Sequence, residues 1–271
     1  MPETWLALFW QPYLAGLAMA TLLPWVGLYL RLRQEWLAAL AYGQVGAAGA
    51  LLAVLFGLPG AAGGVAASLG AALGKGRLEA RCGPGVSFPL LLLLGWGGSV
   101  LLTANLPVAE RLGHALFEGQ LYFAGAELLG GSWLMLGVGA LFLWRLGGKL
   151  LLAHLYPASE AARSATAIWA RLGFDLIAAA SMAMAVMSLG VMGAFGLAFV
   201  TPWLAFGCAQ SWRQALLWAV LPAWGAYSLA FAAALHWDQP PGPLLVLSLV
   251  LTGLLLRLAR TGGETPMTKA L

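Results

Sequence analysis

Long apolar runs separated by short connections limit the fold of this chain more than any other feature. Nine runs occur in the 271 residues, at roughly 7–30, 36–57, 59–74, 87–105, 126–145, 172–189, 191–209, 215–235 and 242–258. A helix needs about 20 mostly apolar residues to cross a bilayer. Charged residues make up only 9% of the chain, whereas they are about a quarter of a soluble domain. We therefore predict an all-α, polytopic transmembrane helix bundle, in a single membrane domain that covers residues 1–271.

The third run is the weakest, because it is rich in Gly and Ala, although small residues also suit close helix packing. The basic residues test whether it crosses, since Lys and Arg accumulate in short cytoplasmic loops. With nine spans and the N-terminus outside, every basic residue except Arg111 falls on the inner side. Eight spans would scatter these residues. We therefore prefer nine spans, with the N-terminus outside and the C-terminus inside, and keep eight as the alternative.

Several classes of function lack their motifs in this sequence. There is no phosphate-binding loop of the G-x-x-x-x-G-K-[ST] type, so ATP hydrolysis by that means would need a separate chain. No Ser/His/Asp, Cys/His or HExxH arrangement is present, which argues against a membrane enzyme. Cys82 and Cys208 do not make a disulfide framework or a closed cysteine zinc site. The net charge of +4 is not gathered into a basic domain, so we expect no nucleic-acid partner, and we expect no cofactor.

The segment LRQEWLAALAYGQVGAAG, at residues 32–49, carries the most informative pattern. It resembles, without a gap, the L-R-R-x-x-x-x-G-D-A-x-S-H-x-x-x-P-G stretch of the zinc and manganese importer permeases, which are membrane subunits of ABC transporters. In that family the Asp and the His, four residues apart, are metal ligands. Leu40 and Gln44 stand at these two positions here.

Other segments resemble the same family in the same order, from about residue 10 to 258. Residues 160–166 resemble its coupling segment, which docks on the nucleotide-binding subunit; Ala158 replaces the usual acidic residue and Thr166 the usual Gly. Three further matches are an outer L-F-G-x-x-L piece, a glycine-to-proline helix and the D-x-P-x-G start of the final helix, at residues 116–121, 191–205 and 238–243.

The resemblance implies a permease subunit of an ABC importer in the bacterial cytoplasmic (inner) membrane, surrounded by lipid and working by alternating access. It also implies a homodimer, two cytoplasmic ATPase subunits and an extracytoplasmic substrate-binding protein. The ATPases would grip a cytoplasmic coupling segment at about 156–168, where Ser159 is a plausible helix N-cap. The residues predicted to make this coupling are Ser159, Glu160, Ala162 and Arg163.

The changed motif leaves the cargo open. We predict that Gln44 lines the substrate pathway together with Tyr42 and Leu40, although a hydrogen bond from the Gln44 amide to a neighbouring helix explains this residue equally well. Leu40 cannot bind a cation, and a Gln oxygen is a poor ligand for zinc, so no metal site is expected at the family position. Three explanations stay open: ligands supplied elsewhere, a substrate that is not a bare ion, or passage through a weakly binding channel.

Outer polar residues offer a relocated metal or entry site. Glu110, His114 and Glu118 recur every four residues and would share one face of a helix. An ordinary solvated face is the competing interpretation. A second outer pair is His236 with Asp238, although Asp238 also suits a turn. The acidic residues near span ends that we interpret as interfacial charges are Glu127 and Asp175.

The sequence thus predicts a transport subunit rather than an enzyme. Two alternatives to a zinc or manganese permease stay open. One is a permease for a chelated metal or a small organic solute. The other is a non-transporting membrane scaffold or regulatory subunit that has kept the fold.

Overall fold

A computed structural model describes residues 2–83, 85–119, 125–155 and 164–258. Within these ranges all regular secondary structure is helical and no strand is present, which confirms the predicted helical bundle. The described residues form nine helices: α1 (Pro2–Leu32), α2 (Leu37–Leu55), α3 (Gly60–Cys82), α4 (Ser87–Asn105), α5 (Pro107–Glu118), α6 (Ala126–Leu155), α7 (Ala165–Cys208), α8 (Trp212–Trp237) and α9 (Pro241–Leu258).

Seven of these helices are long and apolar enough to cross a membrane: α1, α2, α4, α6, α7, α8 and α9. Helix α7 has 44 residues, so at 1.5 Å per residue it measures about 66 Å, roughly twice the hydrocarbon core of a bilayer. Its backbone leaves the helical region at Gly190, where φ is 76° and ψ is 166°. The predicted boundary between the sixth and seventh apolar runs falls at this residue. Gly190 therefore divides α7 into two lengths, which we call α7a (165–189) and α7b (191–208).

Helix α3 lies against α2 at short range, as its small residues predicted. A Cβ atom added to Gly63 would lie 2.7 Å from the carbonyl oxygen of Gly49. Further along, the Ser68 hydroxyl donates a hydrogen bond of 2.9 Å to the Tyr42 carbonyl. The helix continues beyond the predicted apolar run, through charged residues as far as Cys82.

The core lies between α1, α2 and α7, whose apolar stretches are mostly buried, whereas α4, α6 and α9 expose most of theirs. Helix α6 is longer than the apolar run at 126–145 predicted, because it continues to Leu155. Gly147, Leu150 and Ala153 are buried at a spacing of three residues. This buried stripe extends the helix into what the sequence indicated as the inner connection.

Candidate functional site

Leu40 and Gln44, which occupy the metal-ligand positions of the resembling motif, line one cavity. Its volume is about 520 Å³, and residues of α2, α4, α5, α7b and α9 form its wall. Three aromatic side chains contribute to this wall: Trp96, Phe117 and Phe195. Aliphatic residues, Gly196 and the thioether of Met192 complete it. Gln44 is therefore the one polar side chain among the described residues that line the cavity.

Close packing fixes the position of Gln44 between two other helices. A Cβ atom added to Gly95 of α4 would lie 2.6 Å from the carbonyl carbon of Gln44 and from the amide nitrogen of Val45. On the other side, a Cβ atom added to Gly46 would lie 3.2 Å from the Cα atom of Ala183 in α7a. Larger residues could not bring three helices so close. The α2 backbone at Gln44 is thus held on both sides.

The side chain of Gln44 is only 7% exposed. Its Oε1 atom is buried and has no hydrogen-bond partner among the residues that the structure describes. A buried acceptor without a partner costs about 1–3 kcal/mol. The hydrogen bond to a neighbouring helix, which was one interpretation of this residue, is not made by Oε1. An unpaired amide oxygen at an apolar cavity is the chemical feature of this site.

Tyr42 lies elsewhere, although it was predicted to share the pathway with Gln44. Its side chain is fully buried and packs edge-on against Phe88, with ring centroids 5.8 Å apart. It does not line the cavity. Successive residues of a helix turn by about 100°, so Tyr42 points roughly 200° away from Leu40. Its predicted pathway role therefore has no support from this cavity.

A cluster of four charges, which we call the inner charge cluster, joins three parts of the chain. Lys75 and Asp175 are buried in it, and Arg33 and Glu35 are partly buried. Arg33 Nη1 lies 2.8 Å from Asp175 Oδ1, and Arg33 Nη2 lies 2.7 Å from Glu35 Oε2. Lys75 Nζ lies 2.9 Å from Glu35 Oε1 and 3.5 Å from Asp175 Oδ2. The α1–α2 connection, α3 and α7a are therefore linked by alternating charges that cancel.

The carboxylates of the cluster keep the Arg33 guanidinium charged. Burial alone would lower the pKa of the Arg33 guanidinium, but the adjacent Asp175 and Glu35 carboxylates outweigh burial and raise it. Aromatic faces add to the support, since Arg33 lies 5.2 Å from the ring centre of Phe174 and Lys75 lies 4.6 Å from that of Phe88. The sequence indicated Asp175 only as an interfacial charge, because its partners are distant along the chain.

Four of the five outer candidates lie on exposed surfaces. Glu110 and His114 are exposed on α5, which is helical as predicted, and Glu118 is the last residue of that helix. His236 and Asp238 are exposed at the end of α8, where Asp238 adopts the left-handed conformation (φ 51°) that ends the helix. Among the described residues, no group of three or more His, Cys, Asp or Glu side chains could hold a metal ion. A metal role for the outer residues stays a prediction.

The predicted coupling residues Ser159, Glu160, Ala162 and Arg163 lie outside the described residues. The structure resumes at Ser164, whose hydroxyl accepts a hydrogen bond of 3.2 Å from the Ala167 amide. Ser164 is therefore the N-cap of α7. The long helix that carries Asp175 therefore begins within the last part of the predicted coupling segment, at Ala165.

No protein-family model matches the chain, and no curated protein matches it. Among solved structures the chain is similar to PsaBC from Streptococcus pneumoniae, solved in complex with a Fab. The TM-score is 0.75 at 17% identity, over 96% of this chain and 92% of that chain. At this identity the likeness shows a shared fold.

Proposed function

We propose that the chain is the membrane-spanning permease subunit of an ABC importer and moves its substrate by alternating access. The shared fold, which extends over 96% of the chain, is the observation that carries this proposal. The ordered resemblance to the zinc and manganese importer permeases agrees with it. The permease would be a homodimer of nine-span subunits in the bacterial inner membrane, with cytoplasmic ATPases and an extracytoplasmic binding protein as partners.

Helix α7 offers a direct route from the coupling segment to the cavity. Asp175 lies ten residues beyond Ala165, about 15 Å along the helix axis. There it joins the inner charge cluster and so contacts the α1–α2 connection and α3. Beyond the Gly190 break, α7b lines the Gln44 cavity. A movement of the α7 N-terminus, driven by closure of the ATPases, would thus reach both the cluster and the substrate path.

The experiment is co-purification of the permease with candidate ABC ATPase subunits from the same organism. We expect Glu160→Arg to abolish the association, because it reverses the charge in the predicted coupling segment. Glu127→Arg is the matched control, since Glu127 lies in the first turn of α6, on the predicted outer side, and its reversal should leave association unchanged. Undiminished association of the Glu160→Arg variant would contradict the coupling assignment.

Measuring ATP hydrolysis by the complex in liposomes distinguishes a transporter from a scaffold. A permease complex that stimulates ATP hydrolysis in the presence of the substrate-binding protein is a transporter. A complex whose hydrolysis does not respond to the binding protein or to any cargo would favour the scaffold alternative instead.

A further inference from the structure

We infer that the Gln44 cavity binds an uncharged, mostly apolar solute that donates one N–H or O–H hydrogen bond to Gln44 Oε1. This solute would be the cargo of the importer, so the inference rests on the proposed function for the role of the ligand. Binding itself requires only the cavity. The inference can therefore be tested on the permease without its ATPase.

The dimensions and wall of the cavity suit a small organic molecule. Its volume of about 520 Å³ lies within the range of about 300–1,000 Å³ that is usual for small-molecule sites. Trp96, Phe117 and Phe195 give the wall aromatic surface against which a planar group can pack. An apolar wall with few polar groups is typical of sites that bind neutral molecules.

The same wall disfavours a charged cargo. A buried charge without a partner carries a large desolvation penalty, and none of the lining side chains is ionisable. Zinc prefers imidazole and thiolate ligands, and manganese prefers sets of oxygen ligands that include carboxylates. The lining contains no imidazole, thiolate or carboxylate, and Gln44 supplies a single neutral carbonyl oxygen. The replacement of both motif positions by Leu40 and Gln44 therefore changes the chemical class of ligand rather than its affinity alone.

The unpaired oxygen of Gln44 identifies the polar part of the solute. Oε1 can accept hydrogen bonds, yet in a nearly buried side chain it has no partner among the described residues. A solute that donates to Oε1 would satisfy this atom and gain the free energy that is otherwise lost. A lipid acyl chain could contact the same apolar wall but has no donor. The hydrogen bond thus distinguishes a specific solute from lipid.

The test uses the full-length chain in lipid nanodiscs and two fluorinated probes observed by ¹⁹F NMR. N-(4-fluorophenyl)benzamide carries one N–H donor, and 4-fluorophenyl benzoate replaces that N–H by an oxygen. We expect the amide to bind saturably to the wild type and not to empty nanodiscs. The ester should bind about tenfold more weakly, as the loss of one buried hydrogen bond implies. This comparison needs no variant of the protein.

Variants then assign the binding to the cavity. Gln44→Leu should weaken the amide about tenfold and leave the ester unchanged. Gln214→Leu makes the same change at an exposed residue of α8 and should alter neither. Leu92→Trp adds bulk to the cavity wall and should weaken the binding of both probes. Each variant is used only if it remains monodisperse with a wild-type helical signal.

Four results would overturn the inference: no saturable binding of the amide, equal affinity for amide and ester, equal binding to the wild type and the Gln44→Leu variant, or saturable Zn²⁺ or Mn²⁺ binding that Gln44→Leu removes. These results are independent of the ATPase experiment. Failure of ATPase association would refute the importer and leave the binding data standing, whereas failure of probe binding would leave the importer with a different cargo.

Discussion

At the scale of single residues, the stability of the fold depends most on the inner charge cluster. Arg33 and Lys75 face Glu35 and Asp175, so two positive charges balance two negative ones. Burial makes each charge costly unless its partners are present. Removal of one charge should therefore destabilise the fold more than removal of a positive charge together with a negative one.

We expect Asp175→Asn to lower the free energy of unfolding by about 3 kcal/mol, because it leaves two cations with one carboxylate. Thermal unfolding in detergent, followed by circular dichroism, measures the effect as a lower midpoint. Adding Lys75→Met to Asp175→Asn restores the balance of charge and should recover part of the loss. Glu110→Gln, at an exposed residue, is the control and should change stability by less than about 0.5 kcal/mol. A wild-type midpoint for Asp175→Asn would contradict the importance of the cluster.

At the scale of helices, close contacts position the cavity. Gly95→Ala would place a Cβ atom 2.6 Å from the Gln44 backbone, so α4 would have to move away from α2. We expect a loss of about 1–3 kcal/mol, as for other overpacked sites. Gly97→Ala, two residues along the same helix, is the matched control, because nothing lies within 4 Å of its added Cβ. Equal thermal midpoints for the two variants would refute the close α2–α4 packing.

The break in α7 also depends on a glycine. At Gly190, with φ 76° and ψ 166°, residues other than glycine are strained by about 1–3 kcal/mol. An added Cβ would also lie 2.6 Å from the amide nitrogen of Gly119, at the end of α5. Gly190→Ala should therefore displace α5, and hydrogen exchange of the amides at 108–119 should become faster. Gly70→Ala in α3, with open space around the added Cβ, should leave that exchange unchanged; slow exchange in both variants would contradict the contact.

The helices could be predicted from the sequence because each needs only a local apolar run, and the break at Gly190 coincides with a boundary between two runs. The inner charge cluster could not, because Glu35, Lys75 and Asp175 meet only once the α1–α2 connection, α3 and α7a have packed together. The cavity could be predicted in part. Leu40 and Gln44 share a face at a spacing of four residues, and the same period places Tyr42 on another face. The unpaired state of Gln44 Oε1 depends on neighbouring helices and is visible only in the structure.

At the scale of the whole molecule, the topology depends on whether α3 crosses the membrane. Helix α3 runs back along α2, with Gly63 near Gly49, Ser68 bonded to Tyr42 and Lys75 paired with Glu35. Helix α3 therefore runs along α2 in the opposite direction, from the C-terminal end of α2 to the α1–α2 connection. Its 23 residues measure about 35 Å, enough to cross a bilayer. If α2 crosses, we expect α3 to return to the same side.

Cys82, the exposed last residue of α3, reports this side directly. With Cys208, which is buried, replaced by Ser, a membrane-impermeant maleimide should label Cys82 in inverted vesicles and not in intact cells. Trp36→Cys and His114→Cys, each in a background without native cysteines, provide exposed reference sites before α2 and on α5. With nine spans and the N-terminus outside, residues 36 and 82 are labelled from the inner side and residue 114 from the outer side. Labelling of residues 36 and 82 from opposite sides would mean that α3 does not cross. Reversed labelling of all three residues would mean that the protein is inserted in the opposite orientation, and that the basic residues do not determine the orientation.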